Sequence, residues 1–379
     1  MLKFYFRRFR KSLPLLGYYF RQFFHLIGRG KIKAAFSYMW TILVTKEDGA
    51  GLLNPLFLMN EKFVPYPERI ELEPTTKCNF KCLKCESAYW DIPQRDMTFD
   101  EFKHIVDQFP TLKAISISGI GHNWLNKDYM RMLEYLKSKN IFTQFFDTFY
   151  FINEERAKRL IEIKVDKIWM SIDGATKETY ENLQVGSDFN RVIQNLKNML
   201  RLRYQLHSNF PEICFHYIVT QQNFQEMPRF IELVHSINPD PKMINLVQFT
   251  KLIPFKENKF LAPKVSDDVI DETLSLAAKF GNFRIDTFRM GEEEKKQICE
   301  CLDWTVPFIT VDGTVYPCCA YTEGNMRQIM HKYGMGNVLE EDFKQIWYSD
   351  KFRNFRKTIH ENKVPPECKI RNCPAYKVD

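Results

Sequence analysis

Cys78, Cys82 and Cys85 share one short stretch, Lys77-Cys78-Asn79-Phe80-Lys81-Cys82-Leu83-Lys84-Cys85, spaced C-x3-C-x2-C. Three thiolates on one loop can ligate three irons of a cubane cluster, which leaves the fourth iron open to a chelating ligand. A structural zinc site is the alternative. Tetrahedral closure then needs a fourth Cys or His, and the next histidines along the chain are His104 and His122. The spacing favours the cluster. Because the stretch directly follows the strand-like run Arg69-Ile70-Glu71-Leu72-Glu73, the chemistry belongs at a strand end.

Strand-like and helix-like stretches alternate over residues 66–290, the pattern of a parallel α/β domain. Strands are expected near 69–73, 113–118, 141–147, 167–172, 213–220 and 243–249. Helices are expected near 98–109, 127–139, 153–163, 188–206 and 223–237, the first opened by the capping box Thr98-Phe99-Asp100-Glu101. Six such units suit an open, partial (β/α)6 TIM-like barrel whose loops after the strands carry the chemistry.

Alternation along the strands gives the barrel a polar lumen. In Ala114-Ile115-Ser116-Ile117-Ser118 the isoleucines should face the helices and the serines the lumen. Trp169, Ser171 and Asp173 share one face of the fourth strand, and Cys214, His216, Ile218 and Thr220 one face of the fifth. A closed, dry barrel fills such positions with aliphatics, so a cofactor or polar substrate is expected inside. Asp147, His216 and Gln248, near the strand ends, are the candidate substrate contacts. Cys214, mid-strand, reads as a small core residue.

More cysteines follow in residues 291–379. Cys301 precedes Phe308-Ile309-Thr310-Val311-Asp312-Gly313-Thr314-Val315-Tyr316-Pro317-Cys318-Cys319, where Asp-Gly between two β-rich runs signals a hairpin. Gly336-Asn337, Ile346-Trp347, Cys368 and Cys373 come next. A four-cysteine zinc knuckle is one reading of this set.

The cysteine loop resembles the signature loop of the radical S-adenosylmethionine (SAM) superfamily, and the likeness continues down the barrel. Gly119-Ile120-Gly121-His122 stands where that family has a glycine-rich turn ending in Glu, which meets the methionyl amine of SAM. Met170-Ser171-Ile172-Asp173-Gly174 resembles its fourth-strand region, which implies Ser171 and Asp173 near the ribose and carboxylate. Two departures stand out: His122 replaces the acid, and Lys84 replaces the usual aromatic before the third cysteine. The C-terminal order resembles the SPASM/twitch module, with its C-x(9–15)-G-x4-C opening and a Gly-Asn turn before a helix holding Ile-Trp. That implies Cys301, Cys318, Cys368 and Cys373 as ligands of one auxiliary [4Fe–4S] cluster, with Cys319 or Cys299 as substitutes.

The resemblance implies an oxidoreductase- or transferase-type enzyme. A one-electron donor such as flavodoxin or ferredoxin would reduce the [4Fe–4S] cluster, and SAM would be cleaved to a 5′-deoxyadenosyl radical. That radical would take a hydrogen atom from an unactivated C–H, leading to oxidation or rearrangement. The expected substrate is a polyol, sugar or lipid-linked small molecule. A peptide maturase is the alternative, and a non-catalytic zinc-binding adaptor is the alternative of another class.

The net charge of +7 is unevenly placed. Residues 1–46 hold ten Lys/Arg and no Asp/Glu, leaving 44 basic against 47 acidic residues in the rest. With no basic body, a nucleic-acid partner is not expected. Ten cysteines without a secretory signal read as reduced, metal-binding thiols of a cytoplasmic protein. In the helical arm, residues 1–65, aromatics interleave with Lys and Arg. That suits a peripheral helix on anionic lipid at the inner membrane face, or a lid packed on the barrel. Its apolar runs fall short of the roughly 20 residues a spanning helix needs.

Overall fold

The computed structural model describes residues 66–237, 243–281, 284–288, 306–319 and 330–360, with single positions in the arm and the C-terminal tail. The first half runs β1 (Arg69–Leu72), α1 (Phe99–Asp107), β2 (Ala114–Ile117), α2 (Tyr129–Ser138), β3 (Phe142–Asp147), α3 (Glu154–Glu162) and β4 (Lys167–Ser171). Next come α4 (Lys177–Leu183), α5 (Phe189–Gln205), β5 (Glu212–Val219), α6 (Met227–Ile237), β6 (Ile244–Lys251), α7 (Asp267–Phe280) and β7 (Arg284–Asp286). The C-terminal part holds β8 (Phe308–Ile309), β9 (Thr314–Tyr316), β10 (Gly336–Asn337), α8 (Phe343–Trp347) and α9 (Asp350–His360).

The ten strands among the described residues form one open sheet, in the order β10-β9-β8-β1-β2-β3-β4-β5-β6-β7. Neighbours from β1 to β7 are parallel. The helices between them bury their apolar stripes on the outer face, against Ile70, Leu72, Ile115, Ile117, Phe145, Ile168, Met170 and Phe215. Each helix starts where the chain offers a cap. Thr98 and Glu101 form the expected capping box at α1, and Asn153, Thr176, Asp188 and Ser266 accept the first backbone N–H groups of α3, α4, α5 and α7. Gly281 ends α7 in the left-handed conformation, φ 66°.

The six expected strands occur within two residues of their reading. The edge strand β7, with its exposed-intermediate-exposed pattern, lacks the burial that produces a legible alternation. Helices α4 and α7 were also unforeseen: α4 is short and mostly polar, and α7 lies beyond the last expected strand. The C-terminal hairpin is not a separate sheet. β8 pairs parallel with β1, Glu71 opposite Phe308 and Leu72 opposite Ile309, while β9 and β10 continue antiparallel.

Candidate functional site

The cysteine loop leaves the C-terminal end of β1 and is held from three sides. Lys81 and Leu83 donate backbone bonds to Val185 and Leu183, both 2.9 Å, which tie the loop to the end of α4. The Lys84 carbonyl accepts from Asn258 Nδ2 at 3.3 Å. On the third side His122 N donates to the Lys77 carbonyl at 2.7 Å, and its ring Nδ1 donates to Asn79 Oδ1 at 2.8 Å. Phe80 is buried at the loop's tip, against the rings of His122 and Tyr150.

Cys78, Cys82 and Cys85 are free thiols, each half-buried. Burial is the leading influence on Cys78 and Cys82; it raises both and pushes Cys82 up to about 12, with Lys84 opposing. Such thiols stay protonated at neutral pH until a metal displaces the proton. Ser87 Oγ donates toward Cys85 Sγ at 3.3 Å. Among the described residues no three His, Cys, Asp or Glu side chains close on a single metal ion; one thiolate per iron requires no such convergence. Soft donors on one preformed loop fit a [4Fe–4S] cluster.

The Gly-x-Gly turn after β2 packs against the strand that delivers this loop. A Cβ on Gly121 would lie 2.2 Å from the Thr75 carbonyl oxygen, and one on Gly119 would lie 2.5 Å from the Glu73 side chain. Ile120 N donates to Glu73 Oε1 at 2.9 Å. His122, at 5% exposure, stacks between Phe80 and Phe151, and its Nε2 faces Thr148 Oγ1 at 3.5 Å and Asp147 Oδ2 at 3.6 Å. Both ring nitrogens thus face groups of this chain.

Asp173, fully buried, ends the β4 excursion as a hub. Its carboxylate accepts from Gln184 Nε2 at 2.8 Å and from Ile218 N at 2.7 Å, and is ion-paired with Lys84 Nζ. Asn223 Nδ2 donates to its carbonyl. Glu226 fixes the following turn, accepting from Ala175 N, Thr176 Oγ1 and Thr179 Oγ1. Ser171 is half-buried on the lumen face opposite His216.

Along the lumen, Phe146 and Trp169 stack at 5.9 Å with an angle of 14°, and His216 meets Phe146 edge-on at 5.7 Å. Gln144 accepts from Trp169 Nε1 at 3.3 Å and donates to Ser116 Oγ at 3.4 Å. His216 Nε2 bonds with Thr250 Oγ1 at 2.9 Å; burial, then repulsion from Lys84, lowers its pKa to about 4. Gln248 shares this face at the sheet edge, donating to Asp286 Oδ2 at 2.9 Å. Asp147 does not belong with these residues. It alternates with Phe146, so its buried side chain lies on the helix-facing side, where Oδ1 accepts from Phe149 N at 2.6 Å. The error came from treating the last strand residue as lumenal. Sequence reasoning also missed Gln184, Asn223, Glu226 and Asn258, because their partners lie on distant segments and no local motif marks them.

In the C-terminal part the Asp312-Gly313 turn forms the expected hairpin, with Gly313 at φ 84° and its N–H donating to the Thr310 carbonyl at 2.8 Å. Cys318 and Cys319 follow β9, half-buried, and Cys368 is buried. Cys299, Cys301 and Cys373 lie outside the described residues, as does most of the arm. Gln108, at the end of α1, joins this part to the barrel: Nε2 donates to the Val338 carbonyl at 2.8 Å and Oε1 accepts from Phe343 N at 2.6 Å.

Comparison with known proteins places this geometry. Residues 72–234 match the model of the radical SAM superfamily, and residues 299–374 match SPASM, an iron–sulfur cluster-binding domain. The chain is 25% identical over 311 residues to the tungsten-containing aldehyde ferredoxin oxidoreductase cofactor-modifying protein of Pyrococcus furiosus, covering 78% of this chain and 85% of that one. It is 21% identical over 336 residues to the AdoMet-dependent heme synthase of Methanosarcina barkeri, covering 82% and 90%. In fold it resembles Streptococcus suis SuiB bound to S-adenosylmethionine, with TM-score 0.65, 16% identity and coverage of 94% and 87%. SuiB has also been solved with precursor peptide SuiA. Loop, sheet and C-terminal module agree with both family models: this chain belongs to the radical SAM superfamily and carries a C-terminal SPASM domain.

Proposed function

We propose that this enzyme abstracts a hydrogen atom from a polyol, sugar or lipid-linked small molecule held in the barrel lumen, leading to its oxidation or rearrangement. The observation that carries the reading is the pairing of the cysteine loop with a lumen that is aromatic on one wall and polar on the next. Cys78, Cys82 and Cys85 would hold the cluster, which would supply the electron for reductive cleavage of SAM. The chain's own residues then orient and enclose. The apolar C–H face of a sugar packs on the Phe146–Trp169 wall, while Gln144, His216 and Gln248 offer hydrogen bonds to hydroxyls. Ser171 on the lumen face is our candidate SAM contact. Gly119, Gly121, His122 and Asp173 support that site by packing and by holding the loop.

Residues 66–290 act in this reading as the barrel, and 291–379 as the module for one auxiliary [4Fe–4S] cluster on Cys301, Cys318, Cys368 and Cys373. A cluster with four protein ligands has no open iron, which suits electron transfer from the substrate rather than substrate binding. The basic, aromatic arm supports a peripheral membrane role; no helix among the described residues is long and apolar enough to cross a membrane. Peptide modification is the second reading, supported by the SuiB likeness.

Two measurements test this. Anaerobic full-length protein with dithionite and SAM should release 5′-deoxyadenosine, and metabolites of a deletion strain should accumulate an unmodified polyol or sugar compound. A modified peptide missing from that strain, with small molecules unchanged, would transfer the assignment to the second reading. For the arm, full-length chain should sediment with anionic liposomes and a chain lacking residues 1–46 should not. Equal behaviour of the two removes the membrane role.

A further inference from the structure

Lys84 stands immediately before the third cysteine, and its side chain is only 12% exposed. Its ammonium pairs with Asp173, a carboxylate without solvent exposure. Asp173 meets the cysteine loop through this lysine on Oδ2, the oxygen that also accepts from Gln184 Nε2, while Oδ1 accepts from Ile218 N. Asn258 fixes the backbone of the same residue through the Lys84 carbonyl. A cation is therefore held in place at both ends, close to Cys82 and Cys85 and largely withdrawn from water.

We propose that Lys84 is a fixed positive charge that raises the reduction potential of the cluster held by Cys78, Cys82 and Cys85, and that Asp173 is the residue that positions it. Reduction adds one electron to a negatively charged, half-buried site, and cluster potentials respond to net charge and local polarity. A buried charge acts through a lower effective dielectric than a surface one. Asp173 offsets part of the effect. Its own charge is shared with the Gln184 and Ile218 donors as well as with Lys84. A cation at this position thus makes the reduced cluster easier to reach for a given donor. Both residues act through the cluster, so they are positioning residues.

The inference rests on the cluster occupying this loop, and the test separates the two. Full-length protein carrying Cys318→Ala and Cys368→Ala, so that one cluster remains, is reconstituted anaerobically and titrated by EPR without SAM, with iron and sulfide counted. Lys84→Met should shift the midpoint to more negative potential at unchanged iron content, and Lys84→Arg should restore it. Asp173→Asn, which removes the opposing charge, should shift it to more positive potential. An unmoved midpoint in Lys84→Met overturns the proposal, as does an equal shift in Lys84→Arg. Where Lys84→Met fails to assemble, Asp173→Asn decides, and an unmoved midpoint there overturns it. Iron loss in all three variants also overturns it, since the pair would then only hold the loop. A parent protein with no titratable cluster defeats the cluster assignment instead.

Discussion

His122 and Asn79 are joined by a 2.8 Å bond from ring Nδ1 to amide Oδ1, which makes the residue at the end of the glycine turn a strut for the cysteine loop. The acid that the family has at this place would face the methionyl amine of SAM. In this chain the imidazole faces Asn79 on one side and Asp147 with Thr148 on the other. Replacing it with alanine removes buried ring packing on Phe80 and Phe151 as well as the bond, a loss of about 2–4 kcal/mol. His122→Ala should lose iron on desalting and melt earlier as apoprotein. Retained iron with weakened SAM binding would show that the ring serves the cofactor rather than the loop.

The two glycines before it should differ in tolerance. A methyl on Gly121 meets backbone carbonyls of Thr75 and Lys77, whereas one on Gly119 meets only side-chain atoms of Glu73, which can give at the expense of its bond to Ile120 N. Gly121→Ala is expected to cost about 3 kcal/mol and Gly119→Ala distinctly less. Paired thermal melts of the two variants measure the difference.

Removing Cys78, Cys82 and Cys85 together should halve bound iron, from about eight to about four per chain if each cluster is a cubane. 5′-Deoxyadenosine formation should stop while the remaining iron–sulfur absorbance persists. A Cys82→Ala protein that still cleaves SAM with dithionite would rule out the loop as the site.

His216 gives the fold an acid limit. Its pKa is about 4 in the folded chain, lowered by burial and then by Lys84, against about 6.5 unfolded. The unfolded chain therefore binds the extra proton between these values. Stability from the neutral ring is fully present above pH 6.5 and falls as pH drops through the window toward 4, by at most about 3 kcal/mol. Denaturant melts from pH 7 to 4 should show this loss, and His216→Gln should flatten it.

Gln108 couples the barrel to the SPASM region through two bonds from one amide. Gln108→Ala leaves the Val338 carbonyl and the Phe343 N–H unpaired near the Phe109–Phe343 ring contact of 4.3 Å, at about 2 kcal/mol. Hydrogen exchange over residues 330–360 should accelerate while β2 to β5 stay protected. Uniform acceleration across the chain would show that the two parts do not separate in this way.

The fold was legible where local chemistry repeats. Buried strands alternating with capped helices set the barrel, and Asp312-Gly313 set the hairpin. The cysteine spacing singled out the loop after β1 without any knowledge of its neighbours. Support around the loop was not legible, because Asp173, Gln184, Asn258 and Lys84 meet only after four separate segments are brought together. Asp147 shows the limit of periodicity: the one-residue question of where a strand stops being lumenal reverses the side a carboxylate faces.

The parallel pairing of β8 with β1 has a consequence for how this molecule can be taken apart. β1 would have a bare edge without the C-terminal hairpin, and its N–H and C=O groups, which end six residues before Cys78, would be open to pairing with another molecule. Cutting the chain near residue 290 is thus a recipe for aggregation and not a way to isolate a working barrel. The contribution of the second cluster is better dissected by point changes in its thiols, with the seam between the two halves left intact.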